Sequence, residues 1–233
     1  MLLPLFDAQH SGDAAIAEKI PAFRRQIHHS GMNKPGSREI WIMTLERITE
    51  NNLDFAVQIQ AELFPGESGR ANYEESVTGL SGYEYYLIWE DNSCIGVIGL
   101  YRYPEDPDSA WLGWFGIRKK HRRKHLGSAA LKLFEDMALT KGFKFARLYT
   151  DAVNNDAAIA FYKANGYYCE PYRNRHDPVC AKIKTVIFSK DLTDGELILW
   201  NSRNIHLTEQ IAKQEKYNRH QEPAGTGYRG EKR

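Results

Sequence analysis

From residue 39 onward the apolar positions follow two alternating periods. Ile40, Ile42 and Thr44 against Trp41, Met43 and Leu45 make a strand pattern. Asn51–Phe64 places Leu53, Ala56, Val57, Ile59 and Leu63 near helical spacing, and Pro65-Gly66 stops it. A second helix is expected from Arg70 to Leu80, ending before Gly82. Three strands follow, at Glu84–Trp89, Cys94–Tyr101 and Ala110–Ile117, separated by turns at Asp91-Asn92 and Pro104–Ser109. The clearest helix runs from Leu126 to Lys141 with an apolar face of Leu126, Ala130, Leu133, Phe134 and Met137, and Gly142 as its stop. Phe145–Tyr149 reads as a strand, Asp156–Ala164 as a short helix capped by Asn155 and closed by Gly166, and Lys184–Phe188 as a last strand. This order, an antiparallel meander followed by a strand-helix-strand unit, predicts an α+β fold with a mixed, mostly antiparallel sheet and helices on its faces.

The flanks read differently. Ala14–His29 suggests a short helix interrupted by Pro21, and His28–Ser37 has linker composition. Ile205–Lys216 suggests another helix, and Glu222–Arg233 a disordered tail. The chain therefore divides into an N-terminal extension (1–38), a domain (39–191) and a C-terminal extension (192–233).

Composition narrows the function classes. A formal charge of +1 gives no global attraction to nucleic acid or membrane, so any electrostatic function must come from a local cluster. Cys94, Cys169 and Cys180 show no paired spacing, which argues against a disulfide framework or zinc ribbon and fits a reducing cytoplasm. The N-terminus lacks the basic region and long apolar run of a signal peptide, and no segment approaches a membrane span.

The local cluster lies at Ile117–Ser128 (IRKKHRRKHLGS), between an apolar strand and the start of an amphipathic helix. Unpaired N–H groups and the positive end of the dipole at that helix start form an anion site. Gly127 permits close backbone approach, and Arg122, Arg123 and Lys124 add charge beside it. This describes a pyrophosphate cradle. The same run also fits a solvated face, a nucleic-acid patch or an import signal.

The segment resembles the acetyl-CoA motif of the GNAT superfamily of acyl-CoA-dependent N-acyltransferases, Arg/Gln-x-x-Gly-x-Gly/Ala after a strand ending in Val or Ile. Ile117 matches the strand end, Arg122 the leading Arg and Gly127 the final Gly, with Leu126 and Ser128 beside it; the first Gly is replaced by His125. That departure bears on CoA affinity or on the path of the loop, because a Cβ tolerates positive φ poorly. Asn155-x-x-Ala158-x-x-x-Tyr162 followed by Asn165-Gly166-Tyr167 is similar to the late motif of the same family. The specific part of the resemblance covers residues 111–168.

The resemblance implies a V-shaped splay between the fourth and fifth strands and direct attack of an amine on the thioester of acetyl-CoA, with no metal. It implies that a backbone N–H near Phe115 or Ile117 holds the acetyl carbonyl, that Tyr162 protonates the leaving thiolate, and that Asn155 touches the CoA chain. Gly113 and Gly116 fit a bulge in that strand. The base has no motif match; Asp151 and Glu67 are the candidates. Tyr73, Trp89, Trp111, Trp114 and Tyr172 are candidate linings for the acceptor pocket. The expected partners are CoA and a small-molecule or peptide amine, with a homodimer left open and no membrane. A CoA-binding sensor without catalysis and a nucleic-acid binder using the basic run stay as alternatives.

Overall fold

The computed structural model describes residues 23–29, 39–79, 82–153, 155–172 and 184–200. Among the described residues eight strands form one sheet: β1 (Phe23–His29), β2 (Glu39–Arg47), β3 (Glu84–Glu90), β4 (Ser93–Tyr101), β5 (Ser109–Ile117), β6 (Phe145–Asp151), β7 (Tyr168–Pro171) and β8 (Thr185–Asp191). Their spatial order is β1-β2-β3-β4-β5-β6-β8-β7. Every neighbouring pair is antiparallel except β5 and β6, which run parallel. A parallel pair needs a long crossover, and helix α3 (Leu126–Thr140) supplies it. The other helices are α1 (Leu53–Leu63), α2 (Arg70–Thr78) and α4 (Asp156–Ala164).

Alternation along the strands sorts side chains to two faces. Tyr86, Ile88, Ala110, Leu112, Ala146 and Leu148 join α3 and α4 in one core through Ala130, Leu133, Phe134, Met137 and Tyr162. Tyr85 and Leu87 point the other way, against Ala56 and Ile59 of α1 and Tyr73 of α2. Farther along that second face lies an aromatic cluster of Tyr101, Tyr103, Trp111, Tyr172 and Trp200. α3 stops as its sequence requires: Gly142 takes φ of 88°, and the Phe143 N–H reaches back to the Ala138 carbonyl at 3.1 Å.

Two strands depart from the sequence reading. Residues 23–29, read as the end of a helix, form β1 and pair with β2 from Phe23↔Leu45 to His29↔Glu39. Its sequence, FRRQIHH, lacks clean alternation, but an outermost strand is held by backbone bonds and commonly carries charge. β7 is only four residues long, too short to leave a periodic signal, and it ends at Pro171 on the opposite edge. The helix read at Ile205–Lys216 and the tail at Glu222–Arg233 lie outside the described residues.

Candidate functional site

β5 and β6 are in register over only three pairs, Ser109↔Phe145, Ala110↔Ala146 and Trp111↔Arg147. β5 continues to Ile117 and β6 to Asp151, so the strands diverge beyond Trp111 into a V. These are the fourth and fifth strands of the sequence reading, renumbered because β1 precedes them. Along its other edge β5 is bulged. Val97↔Gly116 and Gly99↔Gly113 leave Trp114 and Phe115 together opposite Ile98. Trp114 takes φ of 30°, a left-handed value forced by the extra residue. The two rings leave on opposite faces: Trp114 meets Phe64 at 5.0 Å between centroids, and Phe115 faces Phe161 at 6.0 Å. The glycines at 113 and 116 flank the bulge, as their placement in the sequence suggested.

The loop from β5 to α3 divides the basic run into two groups. Arg118 is tied inward, to Glu62 of α1 at 2.7 Å and to the Cys94 carbonyl at 3.2 Å; this contact holds the Glu62 carboxyl below its ordinary range. His121 lies half-buried with Nδ1 3.5 Å from Glu90, and desolvation lowers its pKa despite that carboxylate. Arg122, Arg123, Lys124 and His125 are exposed around the helix start. Arg122 Nε donates to the Ile117 carbonyl at 2.7 Å, pinning the loop to the strand end.

His125 is the residue before α3 and adopts φ of 59° and ψ of 5°. Histidine thus occupies left-handed backbone here, the region that glycine enters without steric cost. Among the described residues no side chain caps the helix there, and no acidic residue lies in its first turn. The first intrahelical bond is from the Ala129 N–H to the His125 carbonyl, 3.1 Å. The N–H groups of Leu126, Gly127 and Ser128 thus have no carbonyl within the helix. A Cβ on Gly127 would lie 3.4 Å from Phe161 and 3.8 Å from Ile117, which places this turn against α4 and the end of β5.

α4 closes the cluster. Tyr162 is buried in contact with Phe161, Tyr167 and Phe188, with ring centroids 5.2, 5.9 and 5.3 Å away. Burial raises its pKa, so the phenol stays protonated. Asn155 precedes α4 but does not cap it; its Nδ2 donates instead to Thr150 Oγ1 of β6 at 2.9 Å. Phe115, Ile117, Leu126, Gly127 and Tyr162 share one packed cluster or lie against it, with the exposed basic residues at its rim.

The two base candidates differ. Asp151 accepts the Val153 N–H at 2.7 Å and is occupied by its turn. Glu67 sits in the loop between α1 and α2, next to the Phe64 that packs on Trp114, and desolvation pushes its carboxyl up. The proposed aromatic pocket is not assembled. Tyr73 and Trp111 are fully buried core residues, Tyr172 belongs to the cluster around Trp111, and Trp89 donates to Glu46 at 2.6 Å. Only Trp114 borders the bulge.

A row overlooked in the sequence crosses the sheet beside that bulge: Tyr85 on β3 pairs with Gly99 on β4, which pairs with Gly113 on β5. A Cβ on Gly99 would lie 2.2 Å from the Tyr85 ring, and one on Gly113 would lie 3.3 Å from its hydroxyl. The two glycines form a channel in which the ring lies flat. The glycines are visible in the sequence, but their alignment depends on strand register.

A mixed sheet splayed at one parallel pair, with uncapped helical amides beside the opening, is a fold shared with solved N-acetyltransferases. The family model of the GNAT acetyltransferases matches residues 53–167, and the chain belongs to that family. No curated protein matches it. Among solved structures, the ribosomal-protein-S18-alanine N-acetyltransferase from Escherichia coli is 18% identical with a TM-score of 0.52, covering 68% of this chain and 99% of its own. The PaiA N-acetyltransferase from Thermoplasma acidophilum, in complex with coenzyme A, is 16% identical with a TM-score of 0.50, covering 64% and 98%. A spermidine N-acetyltransferase SpeG chimera from Vibrio cholerae and hSSAT is 18% identical with a TM-score of 0.53, covering 65% and 96%. At these identities the likeness is one of fold. Among the described residues no helix is long and apolar enough to cross a membrane.

Proposed function

We propose that the protein transfers an acetyl group from acetyl-CoA to a primary amine of a small molecule or peptide by direct attack. The observation that carries this reading is the adjacency of two features: the splay beyond Trp111↔Arg147 and the uncapped amides at Leu126–Ser128. The amides, with Arg122, Arg123 and Lys124, would hold the pyrophosphate. His125 would face it through its backbone.

From there the pantetheine arm enters the V, where Asn155 is placed to meet it. The acetyl carbonyl lies against the bulge, and the N–H of Phe115 or Ile117 stabilises charge growing on its oxygen. The amine lone pair then forms the N–C bond as the C–S bond breaks. Tyr162 gives its proton to the leaving sulfur. Glu67, whose carboxyl pKa is raised by desolvation, is the better candidate of the two carboxylates to take the proton released by the amine. Two of the fold neighbours named above are a ribosomal-protein-S18-alanine N-acetyltransferase and a spermidine N-acetyltransferase, so both peptide and polyamine acceptors belong in the first trials.

Thiol release from acetyl-CoA in the presence of such amines tests the reading. Amine-dependent release is expected. CoA binding without release by any amine would identify a sensor instead.

A further inference from the structure

The Tyr85 hydroxyl is in an unusual position. Its residue is 2% exposed, yet among the described residues the hydroxyl has no hydrogen-bond partner. Its backbone groups are engaged: the N–H donates to Ser76 Oγ at 3.2 Å, and the carbonyl accepts from the Ile48 N–H at 2.8 Å. A buried hydroxyl without a partner costs free energy unless something else satisfies it. The Tyr73 hydroxyl, which Tyr85 meets edge-on, is sealed in the core without a partner; the Tyr85 oxygen is not among the sealed atoms.

Its placement follows from three strands acting together. The ring starts on β3, crosses β4 over Gly99 and ends on β5 over Gly113. A side chain on Gly99 would overlap the ring outright. Tyr73 and Tyr83 hold the ring from the sides, at centroid distances of 4.9 and 6.3 Å. Gly113 lies two residues past Trp111, where β5 last pairs with β6, and one before Trp114, where the bulge begins. The hydroxyl is therefore delivered to the closed end of the V. It lies on the face that carries α1, α2 and Glu67, opposite the face covered by α3 and α4.

We propose that the Tyr85 hydroxyl binds the acceptor nitrogen at the closed end of the cleft, accepting a hydrogen bond from its N–H and turning the lone pair toward the thioester carbon. This rests on the acetyl-transfer reading. Tyr85 exchanges no proton in the reaction: burial raises the pKa of its phenol, which remains neutral. A neutral primary amine has two N–H groups, so giving one to Tyr85 leaves the lone pair free and restricts its direction. Tyr162 serves the leaving sulfur and Tyr85 the incoming nitrogen, from opposite faces of the sheet.

The test compares wild type with Tyr85→Phe, which keeps the ring in its channel and removes only the oxygen. Spermidine, an alanine-initiated peptide and an aminoglycoside serve as acceptors in the thiol-release assay. With whichever amine the wild type acetylates, Tyr85→Phe should lower kcat/KM for the amine by roughly tenfold. The KM for acetyl-CoA and the CoA-induced rise in Tm should stay unchanged. Gly113→Ala, whose Cβ would lie 3.3 Å from the same hydroxyl, should produce a selective loss of the same sign. Equal kcat/KM for the amine in Tyr85→Phe and wild type overturns the proposal. So does a loss that falls equally on acetyl-CoA, which would mark Tyr85 as structural. If the wild type acetylates none of these amines, the acetyl-transfer reading fails and this inference fails with it.

Discussion

The two ends of the β5/β6 pair are built on opposite principles. At the closed end, Arg147 is fully buried beside the equally buried Asp106 at 3.5 Å. Its guanidinium donates to Ser109 Oγ of β5 at 3.0 Å, to Ser189 Oγ of β8 at 2.5 Å and to the Ile198 carbonyl at 2.6 Å. One side chain thus joins three strands and the segment after β8. Trp200 packs there, edge-on to Trp111 at 4.8 Å, with its backbone N–H donating to the Glu170 carboxylate at 2.6 Å. At the open end, β5 and β6 share no ladder, β5 is bulged, and the helix that follows starts without a cap. Backbone groups left unmatched must find partners, and at the open end they are supplied from outside the protein, by water or by a ligand. The closed end can hold the strands at a fixed angle because Arg147 of β6 is bonded at once to β5, to β8 and to the segment after β8.

That contrast predicts a large stability effect at one end and catalytic effects at the other. Arg147→Met should be the most damaging change, because it strands the Asp106 carboxylate in the core and releases the contacts to β8 and Ile198. Removing one partner of a buried ion pair costs about 3–5 kcal/mol. Urea unfolding should show the midpoint falling accordingly. A midpoint within error of wild type would mean that the clamp does not hold the base of the cleft.

Tyr162→Phe should leave stability nearly unchanged and act on the chemical step. A positioned general acid contributes about 10²–10⁴-fold in rate, so kcat should drop at least about a hundredfold while the CoA-induced rise in Tm persists. Undiminished kcat would remove Tyr162 from the mechanism and leave it as one of the rings packed on Phe188. A smaller effect is expected at the rim. Arg122→Ala with Arg123→Ala should weaken CoA binding by roughly tenfold, the scale of one or two charge-assisted bonds, and reduce the thermal shift caused by a fixed CoA concentration. An unchanged shift would move the pyrophosphate away from this loop.

Legibility followed the range of each interaction. The β5–α3–β6–α4 segment was readable because its signals are local: an apolar strand, a basic loop, a helical apolar face and two short motifs. Arg147 was not. It lies inside the strand FARLYT, where a charged side chain reads as solvent-facing, and its burial is made tolerable by Asp106, Ser109, Ser189 and Ile198 from other segments. Aromatic composition misled for a related reason. Tyr73 and Trp111 were read as pocket residues, but each is enclosed by residues brought in by other elements. The row Tyr85–Gly99–Gly113 needs the register of three strands, which a one-residue slip would destroy.

The smallest expected effect concerns the one motif position that departs from the family. His125 occupies left-handed backbone at φ of 59°, where a side chain costs about 1 kcal/mol and glycine costs nothing sterically. Histidine is among the side chains found more often than most in that region. His125→Gly relieves the strain but also gives the unfolded chain more freedom, so the net gain should be below about 1 kcal/mol. Removing the Cβ opens the approach to the amides of Leu126 and Gly127. CoA affinity should therefore rise or hold. Titration of both proteins with CoA in a thermal-shift experiment reads the two quantities together. Weaker CoA binding in the glycine variant would mean that the imidazole itself contacts the ligand, and that the substitution at this position is a gain of function rather than a tolerated exception.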